Sequence, residues 1–215
     1  GPYTGLMNRN LVLLALCQGL FLTNNVTFIA INGLVGLSLA PMGWMATLPV
    51  MGYVVGGALS TGMVARSQSR FGRKTSFQLG LVVAFLSALL CAYAAFSRNF
   101  WLLCAATLVA GYYNANAGLY RFAAAEVAGS TAQEKAVSLV MAGGLLGAIA
   151  GPNLAAWTRN LFPVPFAGAY IALAGVALLG MLALAFITFP PVPPKKAGQQ
   201  GRPLSQIMKS EERRV

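Results

Sequence analysis

The stretch Leu79-Gly-Leu-Val-Val-Ala-Phe-Leu-Ser-Ala-Leu-Leu-Cys-Ala-Tyr-Ala-Ala-Phe96 is apolar on every face of a helix and carries no charge. At about 1.5 Å per residue, a run of this size approaches the roughly 30 Å of a bilayer's hydrocarbon core. A membrane barrel strand would instead alternate polar and apolar residues over about ten positions, so the run reads as a membrane helix. The rest of the 215-residue chain agrees, with 57% hydrophobic and 9% charged residues, far fewer charges than the roughly one quarter of a water-soluble domain. Lipid forces backbone polar groups to be satisfied within each span, which makes the fold class an all-α membrane protein.

Outward from that run, similar windows place six transmembrane helices at about 10–31, 42–65, 75–96, 100–121, 135–156 and 166–189. Residues 1–6 precede Met7 and read as a remnant ahead of the native start. Residues 7–190 form the six-helix domain. From residue 191 onward, proline, glycine and charge take over, which reads as a cytoplasmic tail or a truncated linker between two halves.

A net charge of +11 in a soluble protein would point to nucleic acid, but here the cations lie between apolar spans. Arg9, Arg66, Arg70, Arg73, Lys74, Arg121, Lys135, Lys195, Lys196, Arg202, Lys209, Arg213 and Arg214 gather on one side, with only Arg98 and Arg159 on the other. Cations are retained on the cytoplasmic side. Both termini are therefore expected there, and no nucleic-acid partner is. Cys17, Cys91 and Cys104 fall within apolar spans without metal-ligand spacing and read as packing residues. The chain has no histidine, its acids fall outside the predicted spans, and its lysines lie in connections or the tail, Lys135 at the very start of the fifth span. That removes histidine-dependent hydrolase mechanisms and the intramembrane protease dyads. No catalytic residue, metal site or cofactor is expected, and the chain reads as no enzyme.

Two segments carry more specific information. Between the second and third predicted helices runs Ala65-Arg-Ser-Gln-Ser-Arg70-Phe-Gly72-Arg73-Lys74. In the fifth, Gly143, Gly147 and Gly151 recur every fourth residue and Pro152 follows, a ridge without side chains on which another helix can pack closely, followed by a point of bending. The first resembles the Gly-x-x-x-Asp-Arg-x-Gly-Arg-Arg/Lys signature of the major facilitator superfamily, with Ala65 in place of its glycine and Ser69 in place of its aspartate. The second resembles the fifth-helix antiporter motif of the same family through Gly147, Gly151 and Pro152, with Ala155 and Ala156 replacing trailing glycines. Glu126 ahead of Glu134, Lys135 and Ala136 is similar to a third family pattern. The resemblance implies one half, the N-terminal six helices, of a twelve-helix secondary transporter working by alternating access. It further implies efflux as the direction; for the drive, either a proton-coupling residue lies in the partner half, or Glu126 serves, or the solute moves down its own gradient, the family's fourth-helix arginine being replaced by Thr107. Arg70, Gly72, Arg73, Lys74, Glu126, Gly147, Gly151 and Pro152 are then the gating residues, with Glu126 pairing with Arg70 or Arg73 in place of the missing aspartate.

The candidate solute path follows from polar residues in apolar spans. Gln18, Asn25 and Asn32 recur every seven residues on one stripe of the first helix, and Tyr112, Asn116 and Tyr120 share a face of the fourth, with Tyr113 adjacent. Asn153 follows the fifth-helix bend. Amides facing lipid are costly, so these groups either bond neighbouring helices or line a watery path. There, with Phe21 and Phe28 as walls, they can bind a neutral or aromatic small molecule. Asn25-Val26-Thr27 is an amide counterpart of the Asp-x-Thr pattern of drug antiporters. The expected partners are the bilayer, a small solute, and a second six-helix half or a second copy of the chain. The expected location is the bacterial inner membrane, multi-pass. The alternative reading is a non-transporting assembly module that keeps the glycine ridge without needing the amide stripe.

Overall fold

A computed structural model describes residues 9–129 and 132–190. The terminal segments 1–6 and 191–215, together with their part in the charge count, lie outside these residues.

Helix α1, Arg9–Leu39, ends two residues before Pro41, whose missing N–H cannot continue a helix. A 3-10 turn at Gly43–Met45 leads into α2, Leu48–Phe96. Pro49 stands in the first turn of α2, where no intrahelical partner for its nitrogen is needed. The 49 residues of α2 would be roughly 70 Å as one straight rod, more than twice a hydrocarbon core. The helix is divided at Gly72, which takes φ 84 and ψ 168. Lacking a β-carbon, glycine occupies that region without the steric cost other residues incur.

The two arms of α2 lie against α3, Phe100–Ala117, in opposite senses. Along the first arm, Gly52 lies against Cys104 and Thr107, Gly56 against Leu108, and Gly57 against Gly111 and Asn114, so arm and helix run parallel. On the second arm, Ser76 and Gly80 meet Asn116 near the end of α3, while the arm's own end at Phe96 leads directly into the start of α3. The chain therefore reverses at Gly72. Asn99 caps α3 by accepting from the Leu102 N–H at 3.1 Å. After Gly118 and Leu119 the same direction of chain resumes as α4, Tyr120–Ala128, which ends at Gly129 with φ 78. Helix α5, Gln133–Thr158, lies parallel to α1, and α6, Ala167–Ala185, closes the bundle against α1 and the second arm of α2.

The core forms two clusters along the bundle axis. One gathers Leu11, Leu14, Phe21, Phe77, Tyr113, Tyr120 and Leu184; the other gathers Phe28, Ile31, Tyr53, Leu103, Tyr170 and Leu173. The outward faces remain apolar, with Leu59, Leu86, Leu145, Leu146, Ile149 and Leu182 all exposed. A soluble monomer does not carry so much exposed apolar surface, whereas a bilayer covers it. The tryptophans Trp44, Trp101 and Trp157 are exposed and stand at the end opposite the Gly72 turn, as an interfacial aromatic belt would.

The molecule is thus an all-α, multi-pass membrane protein. Among the described residues four helical segments are long and apolar enough to cross a bilayer, Arg9–Leu39, Gly43–Phe96, Gln133–Thr158 and Ala167–Ala185. Six separate spans were the expectation, and the differences have physical causes. Spans 42–65 and 75–96 join because the basic connection is helical everywhere except Gly72. Span 100–121 is interrupted at Gly118 and Leu119, and Tyr112, Tyr113, Asn114 and Asn116 reduce the apolar character of α3. Glu126 consequently sits on a helix rather than in a loop.

Candidate functional site

The amide stripe of α1 faces into the bundle, and each member meets a different helix. Gln18 reaches Met141 on α5, with Nε2 3.9 Å from the sulfur. Asn25 accepts a hydrogen bond from the Tyr53 hydroxyl on α2. Asn32, with no exposed surface, donates to the Phe28 carbonyl at 2.8 Å and accepts from the Tyr170 hydroxyl of α6 at 2.7 Å. Both the nitrogen and the oxygen of Asn32 are partnered by the protein, whereas Asn25 is only partly covered and keeps its amide N–H groups without a partner among the described residues.

The phenols of α3 and α4 divide in the same way. Tyr113 and Tyr120 are buried, both edge-on to Phe21 at ring separations of 5.4 and 6.3 Å, and Tyr120 also packs against Phe77 at 4.8 Å. They complete the core. Tyr112 is partly exposed and its hydroxyl lies 3.1 Å from Ser67 Oγ on the first arm of α2. Asn153 is exposed and donates to the Ile149 carbonyl one turn back. The structure therefore does not bring Asn153 together with the other amides.

Asn116, 1% exposed, joins both arms of α2. Its Nδ2 donates to the Ser76 carbonyl at 2.6 Å, and its Oδ1 accepts from Gln68 Nε2 at 2.7 Å and from Ser76 Oγ at 3.3 Å. The side chain occupies the space beside Gly80, where a β-carbon would press against it. Gln68 passes the connection on, accepting from Arg73 Nη1 at 3.1 Å. Arg73 in turn makes a two-pronged pair with Glu126, Nη2 to Oε1 at 2.6 Å and Nε to Oε2 at 3.0 Å. Such a fork matches guanidinium and carboxylate geometry and fixes direction as well as distance. The chain Asn116, Gln68, Arg73, Glu126 thus runs from α3 through both arms of α2 to α4. Neither Gln68 nor Ser76 stood out in the sequence, because a single uncharged polar residue beside a basic turn carries no pattern.

The other cations of the turn differ from Arg73. Arg70 lies over the Phe71 ring at 5.4 Å, and Lys74 donates to the Ala185 carbonyl at 2.9 Å, covering the C-terminal end of α6. Arg9 reinforces that end through the Phe186 carbonyl at 3.2 Å.

The glycine ridge of α5 receives α1. A β-carbon at Gly143 would strike the Ala15 carbonyl, and one at Gly147 the Gly19 backbone. The close approach lets α1 hydroxyls cross over: Thr23 Oγ1 lies 2.9 Å from both the Gly19 and Gly147 carbonyls, and Thr27 donates to the Gly151 carbonyl at 2.9 Å. Pro152, exposed one residue later, leaves the Ala148 carbonyl without its intrahelical donor. An apolar groove of about 380 Å³ opens beside this seam, lined by Leu16, Leu20, Leu146 and Ala150 among others.

Among the described residues no group of histidine, cysteine or carboxylate side chains is arranged to hold a metal. A family model described as the Major Facilitator Superfamily matches residues 11–213. The chain is 36% identical over 205 residues to the riboflavin transporter RfnT of Brucella anthropi, covering 94% of this chain and 52% of that protein. It is 32% identical over 109 residues to the uncharacterized MFS-type transporter YdeG of Bacillus subtilis, covering 51% of this chain and 25% of that protein. With the uncharacterized MFS-type transporter YddS of the same organism it shares 28% identity over 145 residues, 63% of this chain and 33% of that one. The chain thus spans about half the length of RfnT. The location follows as a multi-pass integral membrane protein, in keeping with the inner membranes of bacteria such as those relatives come from. A family model covering nearly the whole sequence, together with the two motifs on α2 and α5, makes this chain a member of the Major Facilitator Superfamily, a family of transporters rather than enzymes.

Proposed function

We propose that this chain is the N-terminal half of a secondary transporter that moves a small, uncharged, planar solute by alternating access. The observation that carries the reading is the partly covered Asn25 at the middle of α1, an amide at membrane depth whose N–H groups have no partner among the described residues. Transporters of this architecture hold solute between two halves near the midplane. Six crossings fit it, since Gly72 splits α2 into two opposed arms and α4 prolongs α3. Both termini are then cytoplasmic, on the side of the basic turn. A second six-helix half, or a second copy of the chain, closes the other side of the cavity.

Within the candidate site the solute contacts are Asn25 and Tyr112. Gln18, Asn32, Tyr113, Asn116 and Tyr120 hold the walls, and Asn153 lies apart from them. The charged chain from Arg73 to Glu126 is the cytoplasmic gate, and the α5 seam at Gly147, Gly151 and Pro152 is where α5 flexes. Similarity to a protein named as a riboflavin transporter makes a flavin the first solute to try. Efflux is the direction favoured by the α5 motif. Among the described acids, Glu126 alone is tied into a network that spans helices, so coupling to protons is assigned to it.

The test is flux of radiolabelled riboflavin in proteoliposomes holding the chain with its completing half or copy, in both orientations and with an imposed pH gradient. Expected are gradient-driven outward transport in the wild type, loss with Asn25→Ala, and loss of gradient dependence with Glu126→Gln. If no solute in a panel of neutral heterocycles crosses, and Asn25→Ala alters only assembly, the chain is the non-transporting assembly module instead.

A further inference from the structure

Asn25 lies within one residue of the midpoint of the 31-residue α1, and so at a depth where a polar group needs either a protein partner or water. Half of its amide has one. The oxygen accepts from the Tyr53 hydroxyl, while the two N–H bonds have no partner among the described residues. No buried side-chain nitrogen or oxygen there goes unpartnered, so the Asn25 nitrogen is accessible rather than sealed.

That orientation is imposed from outside the residue. Tyr53 is 1% exposed and its ring packs on Phe28 at a centroid separation of 4.7 Å. A phenol buried this deeply is costly unless its O–H donates. If Asn25 rotated to present its oxygen, its N–H groups would face the phenol and the O–H of Tyr53 would lose its acceptor. The charges nearby point the same way. Among the described residues the acids are Glu126 and Glu134, in the last turn of α4 and the first turn of α5, so no carboxylate faces the midpoint of α1.

We infer that Tyr53 is a positioning residue that holds Asn25 as a hydrogen-bond donor toward the solute, and that the solute is accordingly an uncharged ring compound bearing a carbonyl acceptor. A planar cation meets no counter-charge there from the described residues, and an amine that can only donate finds no acceptor in the Asn25 N–H groups. This rests on the solute contact proposed for Asn25 and narrows it to one chemistry. The two carbonyls on the flavin ring system meet the requirement.

The experiment measures binding to the chain with its completing half or copy in nanodiscs. Riboflavin, followed by quenching of its own fluorescence, is the carbonyl-bearing probe, and ethidium is the planar cation. Wild type is expected to bind riboflavin and to prefer it to ethidium. Tyr53→Phe keeps the ring against Phe28 and removes only the O–H, so riboflavin affinity is expected to fall about fivefold, the scale of one neutral hydrogen bond, with the melting temperature nearly unchanged. Asn25→Asp retains an acceptor for Tyr53 and removes the N–H donors; it is expected to weaken riboflavin about tenfold or more and to admit ethidium. Tighter wild-type binding of ethidium than of riboflavin overturns the inference while leaving a transporter in place, as does unchanged riboflavin affinity in both variants. If riboflavin does not bind but other neutral ring carbonyl compounds do, with the same loss in Tyr53→Phe, the flavin assignment falls and the inference stands. Absence of binding by every such compound overturns it.

Discussion

Arg73 and Glu126 form the described ion pair of the molecule, and its partners decide what it is worth. The carboxylate side is about half exposed and the guanidinium side one-fifth, so as a lone surface pair it would contribute at most about 1 kcal/mol. Its weight comes from being tied through Gln68 to the buried Asn116. Exchanging the charges, Arg73→Glu with Glu126→Arg, is expected to recover most of the transport lost by either substitution alone, because the pair is restored across the same helices. Recovery below about one-tenth of wild-type flux would show that Gln68 needs the arginine fork itself and not merely opposite charge. Asn116→Ala acts differently. It strands Gln68 and Ser76 beside Gly80, and about 1–3 kcal/mol of stability is expected to be lost for the unsatisfied groups and the small cavity together. Thermal unfolding in detergent reads this loss, and Asn25→Ala, which leaves only the Tyr53 hydroxyl unpartnered, should lower stability less.

At the scale of helices, α5 carries two features of opposite kind. Gly147 sits where the α1 backbone passes, so Gly147→Val forces the two helices apart and is expected to cost about 1–3 kcal/mol or more, as overpacking does, and to break the Thr23 and Thr27 crossings with it. Pro152 is exposed. Pro152→Ala restores an intrahelical bond to the Ala148 carbonyl and is expected to leave stability equal or raised while slowing transport, since α5 loses its bend. Melting temperature and flux, measured on both variants, separate the seam from the flexing point. A Pro152→Ala protein that transports at the wild-type rate would remove α5 bending from the mechanism.

For the whole molecule, the prediction concerns sidedness and completion. The turn carrying Arg66, Arg70, Arg73 and Lys74 stands at one end of the bundle, and Trp44, Trp101 and Trp157 stand at the other. Cysteines introduced at Arg66 and at Arg98, in a protein freed of its own three, are expected to react with an impermeant thiol reagent from opposite sides of intact cells, Arg98 from outside. Labelling of both from one side would overturn the proposed orientation. Exposed leucines on α2, α5 and α6 do not by themselves distinguish lipid from a second half. Native mass spectrometry in nanodiscs does so, a dimer indicating completion by a second copy and a strict monomer completion by another half.

How much of this was legible in the chain itself follows from the range of the forces involved. Helicity, membrane residence and the basic side were readable because each rests on local composition: runs of Leu, Ala and Val without charge, and cations clustered between them. The two family motifs were readable because they are short and contiguous. The pairing of Glu126 with Arg73 was anticipated only as one of two options, since choosing between Arg70 and Arg73 requires knowing where the chain reverses. That reversal depends on a single positive φ at Gly72, within a segment whose sequence is otherwise compatible with helix on both sides. The amide stripe shows the limit most clearly. Spacing put Gln18, Asn25 and Asn32 on one line, but only tertiary structure decided that Tyr170 donates to the Asn32 oxygen while Tyr53 leaves Asn25 half free, because a hydrogen-bond partner from another helix has no fixed distance in sequence.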